Sequence, residues 1–207
     1  MVVRKLAPAL AAGCTTVVKT AGETPFTACA LTVLAIRAGI PKGVINVVSA
    51  LDNTPAIGLA LCKSNTVRKI SFTGSTRVGK LLMEQSGSTL KKLSLELGGN
   101  APFIVFNDAN LDVAVKAAVG SKFKSTGQTC VCSNRIMVQS GIYPAFIQRL
   151  KEEVGKFVTG PAADRRTSHG PLIHAAAADR MESLVKESVG EGAVIELGGG
   201  KIPDLGE

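Results

Sequence analysis

Short apolar, β-branched runs alternate with segments of helical periodicity along the first hundred residues, and this alternation constrains the fold more than any other feature. Strands that alternate with helices favour a parallel sheet with helices packed on its faces. The fold class predicted is therefore α/β. The predicted strands are residues 15–19, 44–48, 67–72 and 92–97, and the predicted helices are residues 24–38, 55–63 and 76–85.

A glycine pair, Gly98-Gly99, precedes a second alternating section. The composition shift near this pair predicts two domains, residues 1–100 and residues 101–207. Thr24 is expected to cap the helix at 24–38, with Pro25 in its first turn. In the second section the predicted strands are residues 102–106, 135–139 and 194–197, and the predicted helices are residues 111–124, 143–158 and 174–189.

The charge distribution argues against nucleic acid as a partner. The net charge is +8, but residues 1–100 hold 12 Lys and Arg against 4 Asp and Glu, while residues 101–207 hold 12 of each. The basic residues are scattered, and the chain has one Tyr and no Trp to stack on bases. No apolar stretch reaches the roughly 18 residues of a membrane span, so no membrane partner is expected. The first residues are typical of an amphipathic helix.

Five cysteines, an odd number, lack the paired spacing of a zinc site, and only two histidines could assist them. Cys14, Cys29 and Cys62 lie among apolar residues, where a reduced thiol behaves as a small hydrophobe. The sequence therefore predicts no metal site and a reducing compartment, either cytoplasmic or mitochondrial. Cys130 and Cys132 lie in a different setting.

Residues 72–79, FTGSTRVG, join a predicted strand to a predicted helix. Such a junction points backbone N–H groups outward at the positive end of a helix, which suits a phosphate. The sequence lacks the full G-x-G-x-x-G fingerprint. A Gly/Ser turn in which Thr76 merely caps the helix is the alternative.

Residues 95–100, LELGGN, place Glu96 at a strand end beside two glycines. Glycines let a ligand approach the backbone closely. A carboxylate among apolar neighbours takes up a proton more readily, as a general base near neutral pH requires. A solvated glutamate at a strand end is the alternative.

Residues 127–134, GQTCVCSN, place the Cys130 thiol in a polar turn that contains glycine. A thiol near backbone N–H groups or a cation loses its proton more readily, and the thiolate is the nucleophile. Lys122 and Lys124 lie just upstream. A structural or incidental C-x-C pair is the alternative.

Taken together, these motifs resemble the aldehyde dehydrogenase superfamily. The resemblance rests on VVK at 17–19, FTGST at 72–76, LELGG at 95–99 and GQTC at 127–130, in that order and spacing. Within the superfamily, Asn100 after the two glycines and Cys132 as a second thiol most resemble the succinate-semialdehyde dehydrogenases.

The resemblance implies a Rossmann-like parallel sheet with flanking helices, part of a second α/β catalytic domain, and an NAD(P)-dependent oxidation of an aldehyde to an acid. In this reading Cys130 forms a thiohemiacetal and then a thioester, which water activated by Glu96 hydrolyses. The residues implied to hold NAD or NADP are Lys19 at the adenosine ribose, Gly74, Ser75 and Gly79 at the pyrophosphate and Val78 at the adenine.

The chain also differs from the family pattern at several places. The chain corresponds to a central portion, without the region that supplies an oxyanion-hole Asn or the region that supplies a further Glu and the strand used in homo-oligomers. Gly22 replaces a carboxylate near Lys19, so NADP is expected to be accepted. Lys124 occupies the place of an Arg that pairs with the substrate carboxylate. Cys132 is a candidate redox switch through a disulfide with Cys130. An incomplete, inactive nucleotide-binding fragment is the alternative function.

Overall fold

The structure is a computed structural model that describes residues 1–202. It divides into two compact units, one from Met1 to Gly98 and the other beginning at Gly99. The elements of the first unit are α1 (Val2–Ala11), β1 (Thr16–Lys19), α2 (Phe26–Arg37), β2 (Ile45–Val48), α3 (Thr54–Lys63), β3 (Lys69–Thr73), α4 (Thr76–Ser86) and β4 (Lys92–Glu96). The elements of the second unit are β5 (Ala101–Val105), α5 (Leu111–Lys122), β6 (Ser133–Val138), α6 (Tyr143–Val154) and α7 (Ala175–Gly190).

The first unit is built from two parallel strand pairs. β1 pairs with β2, and β3 pairs with β4, each pair connected through a helix that lies between its strands in sequence. Within residues 1–98 the two pairs form separate ladders rather than one continuous sheet. The predicted α/β class with parallel strands and intervening helices is confirmed.

The second unit packs two helices on one parallel strand pair, β5 and β6. Its core consists of Val105, Val115, Ala118 and Phe146, contributed by β5, α5 and α6. Branched and aromatic side chains from the two strands complete this layer, since residues that alternate along a strand share one face. The core therefore fixes the two ends of the segment that connects α5 to β6.

Two expectations from the sequence are wrong. Pro25, not Thr24, is the N-cap of α2, because the first hydrogen bond of the helix runs from the Cys29 N–H to the Pro25 carbonyl, at 3.3 Å. Residues 194–197 form no strand in the described chain. They instead line an apolar cavity of about 430 Å³ with α6 and α7, and Glu196 pairs with Lys151 at 2.9 Å.

No helix within residues 1–202 combines the length and the hydropathy needed to cross a bilayer.

Candidate active site

The turn between β3 and α4 is held by two hydrogen bonds. Ser75 is the N-cap of α4, and its Oγ accepts from the Val78 N–H at 3.3 Å. The Gly74 N–H donates to the backbone carbonyl of Glu96 at 3.0 Å. The cap is thus Ser75 rather than Thr76, and the predicted phosphate turn lies beside the predicted general base within the same unit.

Two glycines of this turn are required by close packing. A Cβ on Gly74 would lie 2.4 Å from the Phe72 ring, and a Cβ on Gly79 would lie 2.6 Å from Leu97 Cδ2. Gly79 is buried in α4. These contacts explain the glycines by packing, and a direct role for Gly79 in cofactor binding stays a prediction.

Glu96 ends β4 opposite Thr73 and is exposed. The apolar surroundings expected from the sequence are therefore absent around its carboxylate within the first unit. Lys5 of α1 lies nearby: its ammonium donates to Ser71 Oγ at 3.2 Å. Partial burial lowers the pKa of Lys5, while attraction to the Glu96 carboxylate opposes that change.

Sequence reasoning missed Lys5 as a neighbour of Glu96. The available signal was a cation next to Leu6, the buried residue of an amphipathic α1. A charged residue at the edge of an apolar helix face can keep its head group polar while its stem packs. Its partner Ser71 lies 66 positions away, so no local pattern could identify the contact.

Lys19 lies at the carboxyl end of β1, level with Val48 at the end of β2. Directly after these strands, the buried Thr20 hydroxyl and the Ser49 hydroxyl are 3.0 Å apart. Gly22 follows, and a Cβ there would lie 2.6 Å from Leu51 Cδ1. Lys19 thus belongs to the β1–β2 pair, whereas the turn at 73–79 belongs to the β3–β4 pair.

The loop that carries Cys130 has an unusual backbone. Ser125, Thr126 and Gly127 are consecutive left-handed residues, with φ of 51°, 57° and 75°. A non-glycine residue in this conformation costs about 1–2 kcal/mol. The surrounding structure must therefore hold the loop, since such outliers persist only when their surroundings determine them.

Hydrogen bonds supply that support. The Gln128 N–H donates to the Ser125 carbonyl at 3.0 Å, and the Cys132 N–H donates to the Thr129 carbonyl at 3.0 Å. From a distant segment, the Ile173 N–H donates to Gln128 Oε1 at 3.1 Å.

The two thiols of the loop lie in opposite environments. Cys130 is exposed, whereas Cys132 is 1% exposed. Cys132 Sγ donates to the carbonyl of Lys124 at 3.7 Å. The Lys124 side chain is itself exposed. Cys130, Cys132 and Lys124 are thus brought together on one loop of the second unit.

Within residues 1–202, no three His, Cys, Asp or Glu side chains are grouped closely enough to hold a metal ion.

Comparison with known proteins gives consistent results. Residues 1–207 match the aldehyde dehydrogenase family. The chain is 51% identical over 206 residues to succinate-semialdehyde dehydrogenase [NADP(+)] of Saccharomyces cerevisiae, covering 100% of this chain and 41% of the relative. It is 50% identical over 202 residues to glutarate-semialdehyde dehydrogenase of Pseudomonas putida, covering 98% of this chain and 42% of that protein.

Solved structures agree in fold. Succinate-semialdehyde dehydrogenase from Burkholderia pseudomallei superposes with a TM-score of 0.93 at 51% identity, covering 96% of this chain and 41% of that one. An NADP-dependent enzyme of E. coli superposes with a TM-score of 0.95 at 49% identity, covering 98% of this chain and 42% of that one. The chain therefore spans less than half the length of the relatives it matches.

Proposed function

The chain belongs to the aldehyde dehydrogenase family, and on that premise we propose that it supplies the nucleophile, the general base and part of the dinucleotide site for oxidation of succinate semialdehyde to the acid. The observation that carries the proposal is the contrast between two neighbouring thiols. Cys130 is exposed on a strained loop, whereas Cys132 is buried and bonded to the backbone of that loop. Of these two thiols, only Cys130 is available to a substrate.

Cys130 would act as a thiolate that attacks the aldehyde carbon. The C–S bond forms while the carbonyl electron pair moves to oxygen, giving a thiohemiacetal. Loss of a hydride from that carbon, with two electrons, oxidises it to a thioester on Cys130. The Cys130 backbone N–H would stabilise the oxyanion, which develops only in the transition state.

Glu96 would complete the cycle as the general base. Its carboxylate takes a proton from water, which attacks the thioester and releases the acid and the Cys130 thiolate. Glu96 is exposed at the end of β4, so water reaches its carboxylate. The Glu96 backbone carbonyl is already fixed by the Gly74 N–H, so the start of its side chain is held in place.

The N-terminus of α4 fits the pyrophosphate of NAD or NADP. Its first turn holds no acidic residue, and Ser75 keeps a hydroxyl hydrogen to donate after accepting from Val78. Free N–H groups at a helix N-terminus favour an anion. The cofactor, when bound, would supply the hydride acceptor. The proposed contacts are Lys19, Gly74, Ser75, Val78 and Gly79.

NADP is proposed to be accepted as well as NAD. Gly22 stands where the family has a carboxylate, and the acid is displaced to Glu23, so no carboxylate at position 22 repels a 2′-phosphate. The names of relatives from S. cerevisiae and Schizosaccharomyces pombe specify NADP(+). A strict preference for NAD, measured with both cofactors under the same conditions, would contradict this part of the proposal.

Lys124 is proposed to attract the carboxylate of the semialdehyde. Its ammonium is a point charge without the two-pronged geometry of a guanidinium, so it fixes the chain length of the substrate weakly. We therefore expect glutarate semialdehyde, the substrate named for the P. putida relative, to compete with succinate semialdehyde.

Cys132 is proposed to block Cys130 under oxidising conditions. A disulfide would require the Cys132 sulfur to leave the Lys124 carbonyl, so the loop has to move. Titration of free thiols with and without reductant, alongside activity, tests this. Unchanged activity after oxidation contradicts it.

The alternative function is a nucleotide-binding piece that oxidises nothing. The observation that favours it is the coverage, since the chain spans 41% of the S. cerevisiae relative. Production of reduced nicotinamide from succinate semialdehyde, measured for the 207-residue chain and for Cys130→Ser, separates the two. Turnover that Cys130→Ser abolishes supports the enzyme. Saturable NADPH binding without turnover supports the alternative. If neither turnover nor binding is observed, both functions are contradicted.

A further inference from the structure

Strand β6 contains one extra residue at the point where it begins to pair with β5. Ala101 pairs with Ser133, but Pro102 pairs with Arg135, so Asn134 lies between two ladder positions. Pro102 has no backbone N–H to give, so the regular ladder cannot continue through it. A bulge of this kind redirects the side chain of the extra residue.

The side-chain amide of Asn134 joins three parts of the second unit. Its Nδ2 donates to the Gly99 carbonyl and to Asn100 Oδ1, each at 3.2 Å. Its Oδ1 accepts from the Lys122 ammonium at 2.7 Å. These three hydrogen bonds, which we call the Asn134 clamp, connect the segment before β5, the last turn of α5 and the start of β6.

The clamp closes the base of the loop that carries Cys130. That loop, residues 123–132, leaves α5 after Lys122 and enters β6 at Ser133. Its two ends are tied twice: the Ser121 and Ser133 hydroxyls are 2.6 Å apart, and Lys122 is bonded to Asn134. A loop with closed ends has fewer conformations, and a nucleophile needs such preorganisation.

We propose that Asn134 is a positioning residue for Cys130, because its clamp holds the ends of loop 123–132 together and fixes the Lys122 ammonium at the loop's base. This inference rests on the proposed function, in which Cys130 is the nucleophile. Asn134 touches no reacting atom. It acts through the loop, and through the position of the cation at the end of α5.

Substitutions divide the clamp into its parts. Asn134→Leu removes all three hydrogen bonds. Asn134→Asp keeps an acceptor for Lys122 but turns an oxygen toward the Gly99 carbonyl, where a donor is required. Lys122→Met removes the cation and its one hydrogen bond, and it leaves the two bonds that Asn134 Nδ2 donates. If the enzyme turns over, Asn134→Leu is expected to lower kcat by about 100-fold with little change in KM, since small misplacements of a reacting group have effects of that size.

The decisive readout is the rate at which iodoacetamide alkylates Cys130 across a range of pH, measured by peptide mass spectrometry on the 207-residue chain. Cys14 and Cys29 are exposed in the other unit and serve as internal references. In the wild type, Cys130 is expected to react about tenfold faster than Cys14 at neutral pH, as an activated thiol does. Asn134→Leu is expected to lower the alkylation rate of Cys130 to that of Cys14, and to leave the rates of Cys14 and Cys29 unchanged.

Asn110→Ala is the matched control. It removes the side-chain oxygen that accepts from the Val113 N–H and caps α5, so it weakens the same unit without touching the clamp. Its Cys130 rate is expected to equal that of the wild type. A merely structural role for Asn134 would make the two variants behave alike.

The outcomes separate the two proposals. If wild-type Cys130 reacts no faster than Cys14, the proposed nucleophile is wrong and the inference falls with it. If it does react faster and folded Asn134→Leu keeps the full rate, the inference is overturned while the proposed function stands. If Asn134→Leu does not fold, Lys122→Met decides between the outcomes. An unchanged rate of Cys130 alkylation overturns the inference. A lower alkylation rate with a weaker dependence on pH supports it.

Discussion

The turn at 73–79 and the loop at 123–132 are both proposed to meet the reactants, but they are built in opposite ways. The turn contains no left-handed residue: Ser75 caps its own helix, and Gly74 bonds to the adjacent strand β4. The loop contains three left-handed residues in succession. Ile173 bonds to its Gln128 from 45 positions away, and Asn134, just after the loop, bonds to Gly99, 35 positions away.

The difference follows from what each segment has to do. A phosphate is bound by N–H groups that every helix N-terminus presents, so a relaxed local structure is sufficient. A nucleophile must be held in one orientation, which limits the motion of the loop that carries it. Left-handed non-glycine residues in such a loop persist only when contacts with other segments stabilise them.

The largest effect is expected when each of the two cysteines of the loop is replaced by serine in a separate variant. Cys130→Ser is expected to lower aldehyde oxidation by at least about 1000-fold, because a serine hydroxyl is a far weaker nucleophile without its own base. Cys132→Ser keeps a donor for the Lys124 carbonyl and is expected to retain most activity. Steady-state kinetics of both variants measures this, and equal losses would contradict the assignment.

The next largest effect is expected at Glu96. Glu96→Gln keeps the backbone carbonyl that accepts from Gly74, so the turn stays intact while the base is lost. We expect kcat to fall by about 100-fold or more, the usual contribution of a general base. Glu84→Gln on the exposed side of α4 is the control. Equal activity of the two variants would show that Glu96 is not the base.

Glycine substitutions compare the packing of the two units. Gly79→Ala would place a Cβ 2.6 Å from Leu97 Cδ2 and is expected to lower the free energy of unfolding by about 1–3 kcal/mol. Gly120→Ala in α5 meets nothing within 4 Å and is expected to raise it by about 0.5–1 kcal/mol. Urea unfolding followed by circular dichroism measures both. A change of the same sign would contradict the packing described.

A modest effect is expected from the strain itself. Ser125→Gly relieves a left-handed residue and is expected to raise the free energy of unfolding by about 1 kcal/mol. Ser75→Ala removes a relaxed cap and is expected to lower it by about 1 kcal/mol. The same urea titration compares them. If Ser125→Gly is destabilising, the loop is not strained in the way proposed.

Local signals predicted most of the first unit. The strands and helices of residues 1–98 lie within a few residues of their predicted bounds, because β-branched runs and Pro25 mark them in the sequence. The predicted cap of α2 was wrong by one residue, since the first helical hydrogen bond is accepted by the Pro25 carbonyl.

Contacts across long sequence separations could not be predicted. Nothing in Ser125 or Thr126 favours a left-handed backbone, so the geometry of the Cys130 loop was not foreseen. Asn134 and Lys5 act on partners that no local pattern identifies. Residues 194–197 have the composition of a strand but pack on α6 and α7 instead. The residue types thus predicted the chemistry proposed for the site, whereas they did not predict the contacts that hold its residues in place.

The most direct test of the account is to trap the acyl group. Glu96→Gln is incubated with succinate semialdehyde and NADP, and the peptides are analysed by mass spectrometry. The account predicts an acyl adduct on Cys130 that forms only when NADP is present, because the thioester arises only after the hydride has left. No adduct, or an adduct on Cys132 or another thiol, would contradict the account.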